Sequence, residues 1–199
     1  MLLYNSGVSG NCYKVRLLLA QLGLDYETVD VSVVDRSGRN ELLGDLNPAL
    51  RVPTLVLDDS RPLAESNAIL WYFGDGTQFV SLDPYERAQT LQWMFFEQYS
   101  HEPYIAVVRF WLRYSDAPER FADQVRARTK GGYAALDAME RHLDGRRFLV
   151  GDRYSIADIS LYAYTHLAGE GGFVLDGYPA IRAWLDRVAA QPGHVRIDA

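Results

Sequence analysis

Short β-type apolar runs alternate with helical ones over the first third of the chain, and then the alternation stops. Leu2-Leu3-Tyr4 reads as a strand ended by Asn5-Ser6-Gly7. Val15, Leu18, Leu19 and Leu22 recur at i, i+3, i+4 and i+7, the apolar stripe of a helix, and Gly23 stands where a C-terminal cap belongs. Tyr26 to Val31 alternates like a strand, and residues 39–46 predict a short helix stopped by Asn47-Pro48. Thr54 to Leu57, the turn Asp58-Asp59-Ser60 and Arg61-Pro62-Leu63 predict a hairpin. Glu65 to Phe73 is again helical, with Ile69, Tyr72 and Phe73 on one side. The order βαβ, small helix, ββ, α predicts a parallel right-handed crossover extended by antiparallel strands, an α/β domain over residues 1–75.

Gly74 to Pro84 reads as a linker, and beyond it period-2 alternation is gone. Pro84 to Tyr114 is one long aromatic-rich helical pattern, and Glu119 to Leu143 is another. Tyr154-Ser155-Ile156-Ala157-Asp158-Ile159 opens a third, with Ser155 and Asp158 at capping-box spacing. Ile181, Trp184, Leu185 and Val188 carry the helical stripe of a terminal helix. The second domain, residues 84–199, is therefore expected to be all-α.

Composition narrows the functions open to such a chain. Its 199 residues are 48% hydrophobic and 23% charged, with a net charge of −6. That is the balance of an ordinary globular protein, and the acidic excess with no basic block argues against a nucleic-acid partner. No apolar run approaches the ~18 residues of a membrane span. No basic segment precedes an apolar one at the N-terminus, so no signal peptide is expected. Cys12 is the one cysteine, which rules out an internal disulfide and suits a reducing, cytoplasmic setting. His101, His142, His166 and His194 lack zinc-type spacing, so no metal site is expected.

Four short segments carry the candidate chemistry. Ser9-Gly10-Asn11-Cys12-Tyr13-Lys14-Val15 lies between the first strand and helix, and Arg51-Val52-Pro53-Thr54-Leu55 leads into the third strand. Glu65-Ser66-Asn67-Ala68-Ile69 opens the next helix, and Ser155-x-x-Asp158 lies in the helical half. A hydroxyl at a helix N-terminus can stabilise a thiolate by a charge-assisted hydrogen bond and by the helix dipole. Ser9 is placed for that, with Asn11 as a second donor. Both residue types are also ordinary helix caps. Pro53 suits the start of a strand whether its peptide bond is cis or trans. Glu65 and Ser66 suit a helix N-terminus with or without a bound anion.

The order and spacing of these segments, with the length and the change of texture, resemble the cytosolic glutathione transferase superfamily over essentially the whole chain. The resemblance implies a thioredoxin-like N-terminal domain, an all-helical C-terminal domain and a homodimer. It implies that Ser9 activates the glutathione thiol, as in the serine-using classes. A Thr-Pro-Asn arrangement in some bacterial relatives extends that role to Asn11. It implies a cis bond before Pro53 that turns the Val52 backbone toward the cysteine of glutathione in strand fashion. Glu65 and Ser66 then take the γ-glutamyl end, and Arg39 or Arg51 reaches the glycine carboxylate. Cys12 takes the inward position of a Cys-x-x-Cys frame whose first cysteine is Ser9, and is expected to be inert packing.

For the second substrate, the resemblance implies an apolar wall on the long helices, with Tyr104, Trp111 and Tyr114 chosen from the aromatic set. His101 is read either as a polar group there or as a surface or interface residue. The expected activity is conjugation of glutathione to small apolar electrophiles, a detoxification chemistry. The alternatives are glutathione-dependent reduction of disulfides or peroxides, and a non-catalytic binding module on the same fold.

Overall fold

Leu3, Val15, Leu19, Leu55 and Ile69 are fully buried together and come from four different elements, so they define how the first third of the chain folds. Each such side chain contributes roughly 1.5–3 kcal/mol on leaving water. The structure is a computed structural model that describes residues 1–199. It contains β1 (Leu2–Asn5), α1 (Gly10–Leu22), β2 (Glu27–Asp30), α2 (Arg39–Leu43), β3 (Thr54–Val56), β4 (Pro62–Ala64) and α3 (Ser66–Gly74). The sheet order is β2-β1-β3-β4, with β1 and β2 parallel and the other pairs antiparallel. Leu3 faces Leu55 across the ladder, and α1 and α3 pack on each other. Gly23 caps α1 at φ 66°, a conformation that glycine reaches without steric cost.

This is the mixed α/β arrangement expected from the sequence, with two local differences. The short helix stops at Leu43, because Leu46 and Asn47 donate their backbone N–H groups back to Leu43 and close the turn. On α3 the buried stripe is Ser66, Ile69 and Leu70, while Tyr72 is 50% exposed. Ile69 packs against Leu3 and Leu55 of the sheet and Phe73 packs against that cluster, whereas Tyr72 lies outside it.

Residues 192–199 group with Met1–Thr77, and Gln78–Gln191 form the second unit. Continuity with the last helix assigned this tail to the helical half, but its contacts are with α1. The Tyr13 hydroxyl donates to Val195 O at 2.8 Å, and Arg16 Nη2 donates to Ile197 O at 2.7 Å and Gly7 O at 3.3 Å. Arg16 thereby ties the tail to the loop that precedes Ser9.

The second unit is all-helical, as expected. It contains α4 (Pro84–Phe96), α5 (Glu102–Tyr114), α6 (Ala122–Leu143), α7 (Ile156–Thr165) and α8 (Pro179–Ala189). The 84–114 run is helical throughout, but Glu97–His101 form a π turn between α4 and α5. This turn carries Glu97 and His101 into the interior, where Ser160 Oγ donates to Glu97 Oε2 at 3.4 Å and His101 Nε2 lies 2.9 Å from Thr165 Oγ1. His101 is therefore fully buried core and not the surface or pocket residue expected. Gly131 and Gly132 let α6 approach closely: a Cβ at either would fall 2.4 Å from the ring of Tyr104 or Phe173. No helix is long and apolar enough to cross a membrane.

Every residue of α7 is buried, and its start is organised by Asp158. Asp158 Oδ2 accepts from the Ser155 N–H and hydroxyl, and Oδ1 accepts from Leu149 N–H and Trp184 Nε1. The capping box is thus also the junction of three chain segments. Burial pushes the Asp158 carboxyl from 3.8 up to about 6, and the four donors offset that only in part. The folded state therefore holds this proton more tightly than the unfolded chain. Its stabilising contribution is complete below about pH 4 and is lost as pH rises through about 6. In urea unfolding, wild type should lose about 3 kcal/mol relative to Asp158→Asn between about pH 3 and about pH 7; a flat difference would contradict this. At neutral pH, Asp158→Ala should cost at least about 3 kcal/mol, because four donors lose their acceptor.

Candidate functional site

The chain leaves β1 at Asn5 and turns through Ser6 and Gly7, with Ser9 N–H donating to Ser6 O. This delivers Ser9 to the N-cap of α1, where its Oγ accepts from Cys12 N–H at 3.3 Å. Capping uses a lone pair of the hydroxyl and leaves its proton to donate. The capping role and the proposed donor role are therefore compatible in one side chain.

Cys12 lies behind Ser9 and is fully buried. Burial pushes its thiol from 9.0 up to about 11, despite the lowering effect of the Ser9 hydroxyl, the Ser6 backbone and the Arg16 and Arg39 charges. A thiol in that range carries almost no nucleophilic thiolate at neutral pH. This fits the packing role expected for it.

The first turns of α1 and α3 meet. Ser66, the first residue of α3, is buried, and its hydroxyl donates to Asn11 Oδ1 at 3.1 Å. Lys14, one turn further along α1 and also fully buried, donates from Nζ to Ser66 Oγ at 3.4 Å. Lys14 is the residue of this cluster that the sequence reading missed. A lone lysine in a helical pattern reads as solvent-facing, and no local signal marks this one as interior.

Glu65 precedes Ser66 with φ at +67° and an exposed side chain that makes no capping bond. For a glutamate that backbone is an outlier, the kind of local strain that clusters at ligand sites. Its carboxylate projects from the start of α3, where unpaired N–H groups give the helix its positive end.

The Val52–Pro53 bond is cis, as the resemblance implied. No backbone hydrogen bond engages Val52 N–H or C=O. Asn47, read from the sequence only as a helix stop, holds this segment in place. Its Nδ2 donates to Arg51 O and Thr54 Oγ1, each at 3.0 Å. Arg39 has a comparable structural task, donating from Nε and Nη2 to Ser32 O and from Nη1 to Leu50 O. It braces the 32–50 loop and keeps one N–H on each terminal nitrogen for an anion. Partial burial, then the charges of Arg36 and Arg51, lower its pKa, so three guanidinium groups gather at this end of the loop. Arg51 is exposed.

Tyr104, Trp111 and Tyr114 are spaced along one face of α5 in the second unit, and all three are half-buried. Each has a packing partner within that unit. Tyr104 covers Gly131, and Trp111 stacks on Phe121 at 5.0 Å with Arg128 over its ring. The Tyr114 hydroxyl accepts from Arg109 Nη2 at 3.0 Å.

Comparison with known proteins gives a consistent family. Residues 8–75 match the glutathione S-transferase N-terminal domain, and residues 96–192 match the glutathione S-transferase C-terminal domain. A solved glutathione S-transferase from Pseudomonas fluorescens superposes with a TM-score of 0.95 at 49% identity, covering 98% of each chain. The disulfide-bond oxidoreductase YfcG of Escherichia coli is 29% identical over 92% of this chain and 87% of its own length. A maleylacetoacetate isomerase of Pseudomonas aeruginosa is 29% identical over 96% of this chain and 92% of its own.

The placement of Cys12 is directly testable. At about pH 8 the native protein should leave an aromatic disulfide reagent unreacted over minutes, while the denatured chain reacts at once. Rapid labelling of the native protein would contradict a buried, protonated thiol.

Proposed function

Because the chain belongs to the glutathione S-transferase family, we propose that it conjugates glutathione, as the thiolate, to small apolar electrophiles. The tripeptide lies along the first unit. Its γ-glutamyl carboxylate takes the Ser66 N–H at the positive end of α3, and its ammonium takes the Glu65 carboxylate. Its cysteine backbone pairs with Val52 N–H and C=O ahead of Pro53, as an added strand would. Arg51, with the spare N–H groups of Arg39, receives the glycine carboxylate.

The thiol then loses its proton to solvent, and the Ser9 hydroxyl donates to the sulfur anion, with Asn11 Nδ2 as a second donor. The sulfur forms its new bond to the electrophilic carbon, and the displaced electron pair leaves on the departing group or on the conjugated acceptor. Tyr104, Trp111 and Tyr114 are the candidates for the apolar wall that receives the electrophile. The observation that carries this reading is the Ser66–Asn11 hydrogen bond. It joins the first turns of α3 and α1, the turns that this reading assigns to the carboxylate and to the sulfur. Phe95, 68% exposed, and Tyr99, 85% exposed, support a homodimer that covers them. A sedimentation mass of one chain would contradict that. Glutathione chemistry of this kind belongs in a reducing compartment, consistent with a cytoplasmic enzyme.

A second reading, reduction of glutathione-linked disulfides, is favoured by Asn11 beside Ser9 and by the similarity to the E. coli oxidoreductase. With Cys12 buried and protonated, that reaction requires two glutathione thiols and no protein thiolate. Turnover of chlorinated aromatic electrophiles alongside mixed disulfides separates the two readings.

Ser9→Ala should lower kcat/KM roughly a hundredfold while leaving S-methylglutathione affinity nearly intact. Unchanged turnover would move the sulfur-activating role away from Ser9. Glu65→Ala should weaken glutathione binding about tenfold at unchanged Tm, since its side chain makes no capping bond. An unaltered Kd would remove it from the site.

A further inference from the structure

Arg16 is a buried cation that no anion in the fold neutralises. It is 9% exposed and makes no ion pair. Its Nη2 donates to Gly7 O at 3.3 Å and to Ile197 O at 2.7 Å, while the buried Nε–H has no acceptor. Asp198, the carboxylate of the tail, pairs with Arg196 instead. Taking a charge out of water without a counter-ion is costly, and a neutral donor could hold a backbone carbonyl at lower cost. A guanidinium kept here points to a use for its charge.

Its place says what that use is. Helical side chains lean toward the N-terminus of their helix, so Arg16, two turns after Ser9 on the same face of α1, reaches back to the Ser6–Ser9 turn. The Ser9 N–H closes that turn on Ser6 O, and Gly7 O is the carbonyl within it that Arg16 holds. Burial raises the Cys12 pKa, and the Arg16 charge is among the groups that lower it, so the charge is felt in the first turn of α1. Tyr26 feels it too, and burial keeps both neighbours neutral at pH 7. The tail covers the guanidinium with backbone: Tyr13, whose ring centre lies 6.0 Å from it, donates its hydroxyl to Val195 O. Carbonyls accept from the cation without cancelling it, and a surrounding that excludes water screens it little.

We propose that Arg16 is a positioning residue for the thiol chemistry. It anchors the turn that presents Ser9 and, covered by residues 194–197, adds positive charge to the helix end that receives the glutathione sulfur. This rests on the functional reading above and deepens it, because it makes the C-terminal tail part of the sulfur-activating apparatus.

Thiol ionisation is read separately from binding. The ultraviolet absorbance of the thiolate gives the pKa of bound glutathione, and S-methylglutathione, whose sulfur cannot ionise, gives affinity. In Arg16→Met the thiol pKa should rise by about one unit, a tenfold loss of thiolate. S-methylglutathione affinity should change by less than about threefold, since the peptide's carboxylates are assigned to other residues. Arg16→Lys should restore most of the ionisation. Arg16→Gln, which can hold a carbonyl but carries no charge, should stay close to the methionine variant and replaces it if that variant does not fold. Gly193→Val tests the tail in the full chain: Gly193 has φ +70°, and a Cβ there would lie 3.1 Å from Gln21 Cα, so the side chain lifts the tail from α1. It should raise the thiol pKa in wild type and add nothing in Arg16→Met.

A wild-type thiol pKa in the folded Arg16 variants overturns the proposal, as does ionisation restored as fully by glutamine as by lysine. Equal losses of thiolate and of S-methylglutathione affinity, the mark of a merely structural arginine, overturn it too, and so do additive effects of Gly193→Val and Arg16→Met. Wild-type protein that binds no S-methylglutathione would sink the glutathione reading itself. Wild type that binds and ionises glutathione while Arg16→Met does the same sinks only the role of Arg16.

Discussion

The hydroxyl of Ser66 ties the first turn of α3 to the first turn of α1, and the proposed glutathione site is built around that bond. A helix N-terminus leaves backbone donors unpaired, so two of them side by side make a surface that favours anions. Glutathione brings two kinds of anion to such a surface, a carboxylate and a latent thiolate. A side-chain hydrogen bond between the turns sets the distance between the two proposed positions. The apolar stripe of Val15, Leu19 and Ile69 against Leu3 and Leu55 holds the helices in register, and the polar bond decides what their ends present.

Around this pair, the remaining polar side chains mostly hold backbone in place. Asn47 donates to Arg51 O and Thr54 Oγ1, and Arg39 donates to Ser32 O and Leu50 O, on either side of the loop leading to Val52 and Pro53. Arg16 braces the loop before Ser9 against the C-terminal tail. The groups proposed to face glutathione are the Ser9 hydroxyl, Asn11, the Val52 amide and carbonyl, the Glu65 carboxylate, the Ser66 N–H, and the Arg39 and Arg51 guanidinium groups. That division fits the proposed site, in which backbone is fixed before a tripeptide binds and the ordering cost is lowered. In the helical unit, Asp158 plays the comparable structural part, gathering Leu149, Ser155 and Trp184 on one carboxylate.

Much of this was legible in the sequence wherever the determinant is local. The stripe of α1 and its Gly23 cap, the β3–β4 hairpin and the Ser155–Asp158 box each need only a few neighbouring residues to be recognised. Ser9, Pro53, Glu65 and Ser66 stood out because chain turns demand particular residue types at particular spacings. What stayed hidden depends on contacts distant in sequence. Lys14 is interior because Ser66, fifty-two positions away, meets it. The π turn at Glu97 exists where buried partners on α7 accommodate it, so a simple helical period passes over it. On α3, Ile69 and Phe73 join the core while Tyr72 is exposed, and periodicity alone allows either placement for Tyr72. The tail after α8 carries no pattern of its own, and its place follows from Tyr13 and Arg16 on the opposite end of the chain.

A crystal structure of the protein soaked with reduced glutathione would bear most directly on the central claim. The account predicts the sulfur within hydrogen-bonding distance of Ser9 Oγ and Asn11 Nδ2. It also predicts the γ-glutamyl carboxylate on the Ser66 N–H and the cysteine backbone paired with Val52. A tripeptide bound elsewhere, or one whose sulfur points away from the start of α1 while its carboxylate sits at Ser66, would contradict it.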